Sequence, residues 1–334
     1  MTTRSDITAM VVPSMLLLSG AAVGPHGLAI LTRPALTFLD PAVPVALAVF
    51  ASLAVLRGHP IDTPRRLTTA GAIGSAITGI VVAGAFVLIP PAAATTATFP
   101  AWTLMAIALG IAAATSAGTD DTILPVVAGG ILLAYLREMT LGGALLITLQ
   151  MIGVAALVAA ATWLLLSRAS RADEQRVSTF AGALLLGGAA DYLSMSALLC
   201  GAAAGACWRL SATVVRENIL RDLTYVADSL LALVLILAGA HADYSVPAVA
   251  VGAAYAVLRT TGKLGGRWIA RRIVPDAPYS AGRQLLIPGA FGVAFALNTV
   301  RAFGDAFAPI VTIVVVGTIV SSMMAALSAG DAAA

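Results

Sequence analysis

The chain has 334 residues, 60% of them hydrophobic and 10% charged, with a formal net charge of +3. Its mean hydropathy is +0.97. Soluble domains carry about a quarter charged residues, so this composition excludes a soluble globular domain. The basic residues are nearly all arginines at the ends of apolar runs, a pattern that sets membrane topology rather than binding nucleic acid.

A helix needs ~20 apolar residues to cross a hydrocarbon core. Runs of about that length fall at 11–32, 41–57, 66–90, 100–118, 121–136, 141–168, 177–191, 193–209, 223–240, 245–267, 285–302 and 306–328. The shorter, alternating segments of a transmembrane barrel do not occur. The expectation is therefore an all-α polytopic membrane protein of about 12 helices. It forms a single domain over 1–334, with no separate soluble domain. The first run is read as a membrane helix rather than a signal peptide. Arg4 is its only early positive charge, offset by Asp6, and the apolar stretch continues past "GPHG".

Charge distribution orients these segments. With 12 crossings and both termini cytoplasmic, 15 of the 19 basic residues face the cytoplasm. Only Arg33, Arg137 and Arg301 lie outside, and Arg259 is left within the membrane. Merging 100–136 into one crossing worsens the bias to 12 against 6, so two helices are expected there. Cys200 and Cys207 lie two turns apart on one helix, too far for a disulfide, and read as reduced packing residues. Small residues such as Gly201 and Gly205 in "GAAAG", and Gly71, Gly74 and Gly79 in "GAIGSAITG", suit close helix packing in lipid.

Ionisable groups inside a membrane are costly and are functional candidates by default. Asp120 and Asp121 follow the weakly helical "TSAGT", which ends in Thr119, and precede Pro125. That combination interrupts a helix, and a broken helix beside carboxylates resembles an ion site in a secondary transporter. The competing reading is a wet turn whose aspartates cap the next helix. Arg259, Lys263, Arg267 and Arg271 are spaced by four and share one helix face. The lower members suit snorkelling to the interface, whereas Arg259 lies too deep for that and calls for a partner, with Asp120 or Asp121 the nearest in kind. Asp191 with Tyr192, and Asp228 with Ser229, are weaker candidates for lining a pathway. His26, His59 and His241 show no metal-ligand spacing. Pro288 and Gly289 predict a second interrupted helix, and a break in each half is the sequence pointer to an inverted-repeat transporter.

Several stretches, in order along most of the chain, resemble the cation:proton antiporter superfamily of bacterial sodium/proton exchangers and potassium-efflux antiporters. They are "LLLSGAAVGPHGLAIL", "LLLGGAADYLSMSALLCGAAAG", "ADSLLALVLILAGAHADY", "LRTTGKLGGRWIA" and "RQLLIPGAFGVAFAL". The resemblance implies an inverted-repeat core of crossed, discontinuous helices with a carboxylate that exchanges protons for sodium or potassium by alternating access. It implies Asp120, Asp121 and Thr119 as the ion- and proton-binding set, with Arg259 and Lys263 as ion-pair or gating partners. It further implies a homodimer in the lipid bilayer of the bacterial cytoplasmic membrane, no cofactor beyond the transported cation and protons, and no enzymatic activity. A regulatory subunit, if one exists, is not indicated. One departure stands out: "AAATSAGT" runs straight into "DDTILPVVAGG", fusing two motifs that the family separates. In a second alignment, "LLITLQMIGVAALV" takes the site helix and Met151 replaces the aspartate. The shortened region leaves open a different class, a non-transporting scaffold or sensor with the same fold. An intramembrane aspartyl protease is disfavoured, because "RAFGD" has Ala302 where the first glycine of Gly-x-Gly-Asp belongs.

Overall fold

The computed structural model describes residues 4–58, 65–88, 99–115, 123–274, 289–304 and 307–330. These residues form thirteen helices and, among the described residues, no strand. In chain order they are α1 (Arg4–Val23), α2 (Arg33–Leu39), α3 (Ala42–Arg57), α4 (Arg65–Leu88), α5 (Phe99–Ala114), α6 (Ile123–Glu138) and α7 (Leu141–Arg168). Then follow α8 (Ala172–Tyr192), α9 (Ala197–Arg209), α10 (Thr213–His241), α11 (Val246–Ile273), α12 (Ala290–Phe303) and α13 (Ala308–Gly330). Among the described residues three spans are long and apolar enough to cross a membrane unaided: Ala70–Leu88, Leu141–Arg168 and Thr213–His241; α2 and α3 form a further pair bent by 45°. On α7, Leu145, Leu149, Leu157 and Leu164 stand exposed, as lipid-facing side chains must. The molecule is an integral membrane protein of helices.

Among the described residues, eleven of the expected runs overlap one helix each, and the first overlaps α1 only as far as Val23. The expectation was a continuous apolar run through Leu31, but α1 stops at Val23 and the chain turns back on itself. Leu28 N donates to Ala22 O (2.7 Å) and Leu31 N to Val23 O (2.8 Å), while Ala29 takes a positive φ of 54°. The Gly-Pro-His-Gly sequence is a turn, and apolarity alone concealed it. Within 100–136 the described residues form α5 and α6, and residues 116–122 between them lie outside the described residues.

The helices fall into two compact units. Unit 2 comprises Pro34–His59 and Val126–Val234. Its centre is α3, buried along nearly its whole length and packed on α8 and α9. Gly201 and Gly205 of α9 let the two backbones meet: a Cβ on Gly201 would strike the Ala48 carbonyl, and one on Gly205 would lie 2.7 Å from Ser52 O. The Ser52 hydroxyl sits 2.8 Å from both Ala48 O and Gly201 O. The indole of Trp208 then ties α9 to α7 by donating to Ala159 O (3.2 Å). Cys200 is buried and Cys207 half-buried, both free thiols.

Unit 1 comprises Met1–Arg33, Pro60–Pro125 and Leu235–Ala334. Here α4 packs between α5 and α11. Gly79 opposes Gly110, where an added Cβ on Gly79 would lie 3.3 Å from Gly110 O, and Gly74 opposes Gly266. The Trp102 indole donates to Phe86 O (2.8 Å), locking the α4–α5 pair near its other end. The small-residue spacing of "GAIGSAITG" thus places three backbones in near contact.

Candidate functional site

The site grows from the C-terminus of α5. The last four carbonyls of a helix have no partner within it and carry partial negative charge. Cations are the natural complement, and α11 supplies two. Arg259 Nη2 donates to Thr115 O (2.9 Å), and Lys263 Nζ donates to Ala114 O (2.6 Å). Both side chains are buried, with relative exposures of 2% and 3%. Such charge-assisted bonds are shorter and stronger than neutral ones. The four-residue spacing puts both heads on one face of α11, one above the other, so that a single helix clamps two successive carbonyls.

A third element completes the arrangement. Thr115 Oγ1 donates to Ala112 O (2.8 Å), tightening the last turn of α5. A Cβ on Gly292, in the first turn of α12, would lie 2.9 Å from both Ala112 O and Thr115 Oγ1. The end of α5 therefore abuts the start of α12, whose N-terminal dipole is positive. At 16 and 14 residues, both helices are too short to cross a ~30 Å core alone. Two helices stop inside unit 1 at one place, and a buried pair of cations marks it.

Of the residues singled out in the sequence, Arg259 and Lys263 meet at this point. Lys263 corrects one expectation, since it is as buried as Arg259 and reaches back to α5 instead of snorkelling. Arg271 is exposed, as a snorkelling anchor should be. Thr119, Asp120 and Asp121 lie outside the described residues, as do Pro288 and His59; α12 begins immediately after Gly289. Met151 is buried on α7 in unit 2, where its carbonyl lies 3.8 Å from Cys200 Sγ. Asp191, Tyr192, Asp228 and Ser229 are exposed and belong to unit 2. Among the described residues no cluster of His, Cys, Asp or Glu could hold a metal ion.

Sequence reasoning missed one buried carboxylate. Asp222 of α10, in unit 2, is 3% exposed. Its Oδ1 lies 3.0 Å from Arg221 Nε and 3.9 Å from Arg176 Nε, and its Oδ2 lies 3.4 Å from Thr179 Oγ1. Beside it, Asn218 donates to Gln175 Oε1 (3.1 Å). These contacts staple α8 to the polar first half of α10, a structural role.

Fold and site together define a helical membrane protein in which α5 and α12 end inside unit 1. The solved structure of the sodium proton antiporter MjNhaP1 from Methanocaldococcus jannaschii is similar over 98% of this chain and 93% of that one, with a TM-score of 0.62 and 14% sequence identity. At that identity the likeness is one of fold. No protein-family model matches the chain, and no curated protein matches it by sequence.

Proposed function

We propose that the protein is a secondary active transporter that exchanges a monovalent cation, sodium or potassium, for protons by alternating access. The observation that carries this reading is the Arg259–Lys263 clamp on the end of α5. It concentrates positive charge at a helix break in a fold shared with a sodium proton antiporter. In this reading Asp120 and Asp121, with Thr119, form the ion- and proton-binding set; Asp120 is five residues along the chain from Thr115. Removal from water favours the protonated form of a carboxylate, which lets protons compete with a cation. A guanidinium nearby balances the negative charge when no cation is bound, and arginine stays charged even when buried. The chain needs no cofactor for this and acts on no covalent bond. The test is cation-driven proton flux in proteoliposomes holding the purified protein. A pH change on adding sodium or potassium supports exchange, and its absence with both cations favours the scaffold reading that the short α5–α6 link suggests.

The same reading places twelve crossings of one membrane domain in a bacterial cytoplasmic membrane, with both termini cytoplasmic. A cysteine at Thr96 is then labelled from outside by an impermeant thiol reagent, and one at Ala172 is spared. The reverse pattern would invert the topology. The reading also includes a homodimer formed through membrane-facing surfaces. Native mass measurement in mild detergent should give twice the 33.6 kDa chain mass, whereas a monomer insensitive to added lipid would remove the dimer from the account.

A further inference from the structure

The helix α7 of unit 2 is long and apolar enough to cross a membrane, yet it carries an exposed glutamine, Gln150. At 1.5 Å per residue, Gln150 lies about 7 Å from the helix midpoint, well inside a hydrocarbon core ~30 Å thick. The threonines of α7 satisfy themselves: Thr148 Oγ1 donates to Ala144 O (2.7 Å) and Thr162 Oγ1 to Val158 O (2.8 Å). Among the described residues, no side-chain hydrogen bond involves Gln150. Lipid tails offer its amide no partner, and an unpaired amide in an apolar medium is costly.

The face around Gln150 has a repeat. Leu146, Gln150, Gly153, Leu157, Ala160 and Leu164 are all exposed, at spacings that alternate between four and three. A mean spacing of 3.5 residues is the heptad seam of a left-handed helix pair. The buried residues of α7, such as Met151, Ala155 and Val158, occupy the opposite side, toward α8 and α9. Gln150, Leu157 and Leu164 hold one core position of the repeat; Leu146, Gly153 and Ala160 hold the other. Nothing lies within 4 Å of a Cβ added to Gly153. The glycine notch therefore serves no contact within the chain, although glycine weakens a helix.

We propose that this seam packs against the α7 seam of a second copy, parallel and in register, with the two Gln150 amides hydrogen-bonded across the interface. Copies inserted the same way are related by a twofold axis along the membrane normal, so each seam residue meets its own counterpart. The residue types suit self-pairing. A carboxamide both donates and accepts, so two of them bond reciprocally. Gly153 and Ala160 let the backbones approach, whereas leucine alone gains little by leaving lipid for protein. The amide and the small residues thus carry the contact. No charge stands on the seam to repel a like copy, and a polar residue at one core position fixes register and strand number. This interface rests on the homodimer of the antiport reading and names its surface.

Cross-linking in proteoliposomes tests it, with the full chain in a Cys200→Ala, Cys207→Ala background and copper phenanthroline as oxidant. Gly153→Cys and Ala160→Cys should form covalent dimers at least about tenfold faster than Leu145→Cys and Ile152→Cys, which are exposed on the flank of α7, because only facing residues come within disulfide reach. Sedimentation equilibrium in mild detergent gives a second readout. Gln150→Leu should raise the dimer dissociation constant about 3- to 30-fold, the range for one interhelical hydrogen bond, and Gln150→Asn should raise it less. Faster cross-linking at the flank, or a Gln150→Leu dimer as tight as the parent's, would overturn this interface and leave the homodimer standing. A monomeric parent would overturn both. Neither readout depends on ion flux, so a failure of antiport is scored separately.

Discussion

Replacing Arg259 with alanine should lower the unfolding free energy by about 3 kcal/mol, within the range for removing one partner of a buried ionic contact. Three losses add up. The Thr115 carbonyl loses its charged donor (2.9 Å), and a hydrogen bond to a charged group is worth roughly 1.5–3 kcal/mol. The negative end of α5 keeps only Lys263 against it. A large, fully buried side chain leaves a void lined by close-packed helices. Arg259→Lys should recover part of the loss, because it keeps the charge and lacks only the reach and fork of the guanidinium. Thermal unfolding in detergent reads both variants. An alanine variant as stable as the parent would mean that the clamp contributes nothing to the fold. If the alanine variant still folds into the membrane, the pH dependence of its flux should shift, since the proposed carboxylates have lost their counter-charge.

Gly201→Val should be as damaging in unit 2. The new Cβ would meet the Ala48 carbonyl and lie 2.7 Å from Ala48 Cα. Backbone cannot swing aside as the tip of a side chain can, so α3 and α9 would have to separate. The Ser52 hydroxyl would then lose Gly201 O, and α3 is the most enclosed helix of its unit. Overpacking of this kind typically costs about 1–3 kcal/mol. Gly188→Ala on α8 is the matched control, because nothing lies within 4 Å of its added Cβ. It should match the parent or gain slightly from helix propensity. Equal melting of the two variants would show that the α3–α9 contact is looser than its geometry.

The sequence revealed what apolar length and buried charge alone can report. The run 141–168 coincides with α7 and 41–57 nearly with α3, because polar residues bound both. The polar starts of α8 and α10 were lost to hydropathy. α10 begins at Thr213, ten residues before its apolar run, on contacts such as Asn218 to Gln175 that no window detects. For α8 the signal was present in another form: Glu174 Oε2 accepts from Ser170 N (3.2 Å) and Arg171 N (3.4 Å), a capping pattern readable in "SRADEQ". Arg259 was legible because an arginine within an apolar run is rare and costly. The burial of Lys263 was not, since it depends on where α5 stops relative to α11, a fact of tertiary register.

The central claim is that the interruption after α5 holds the exchanging carboxylate, and one measurement addresses it most directly. Cation-driven proton flux should be compared in proteoliposomes for the parent, Asp120→Asn, Asp121→Asn and the double variant, each first shown to be folded by its melting temperature. The account predicts that at least one single variant and the double variant lose coupled flux while melting near the parent. Flux at the parental rate in all three variants would mean that the aspartates only cap a wet turn, and the site would have to be sought elsewhere.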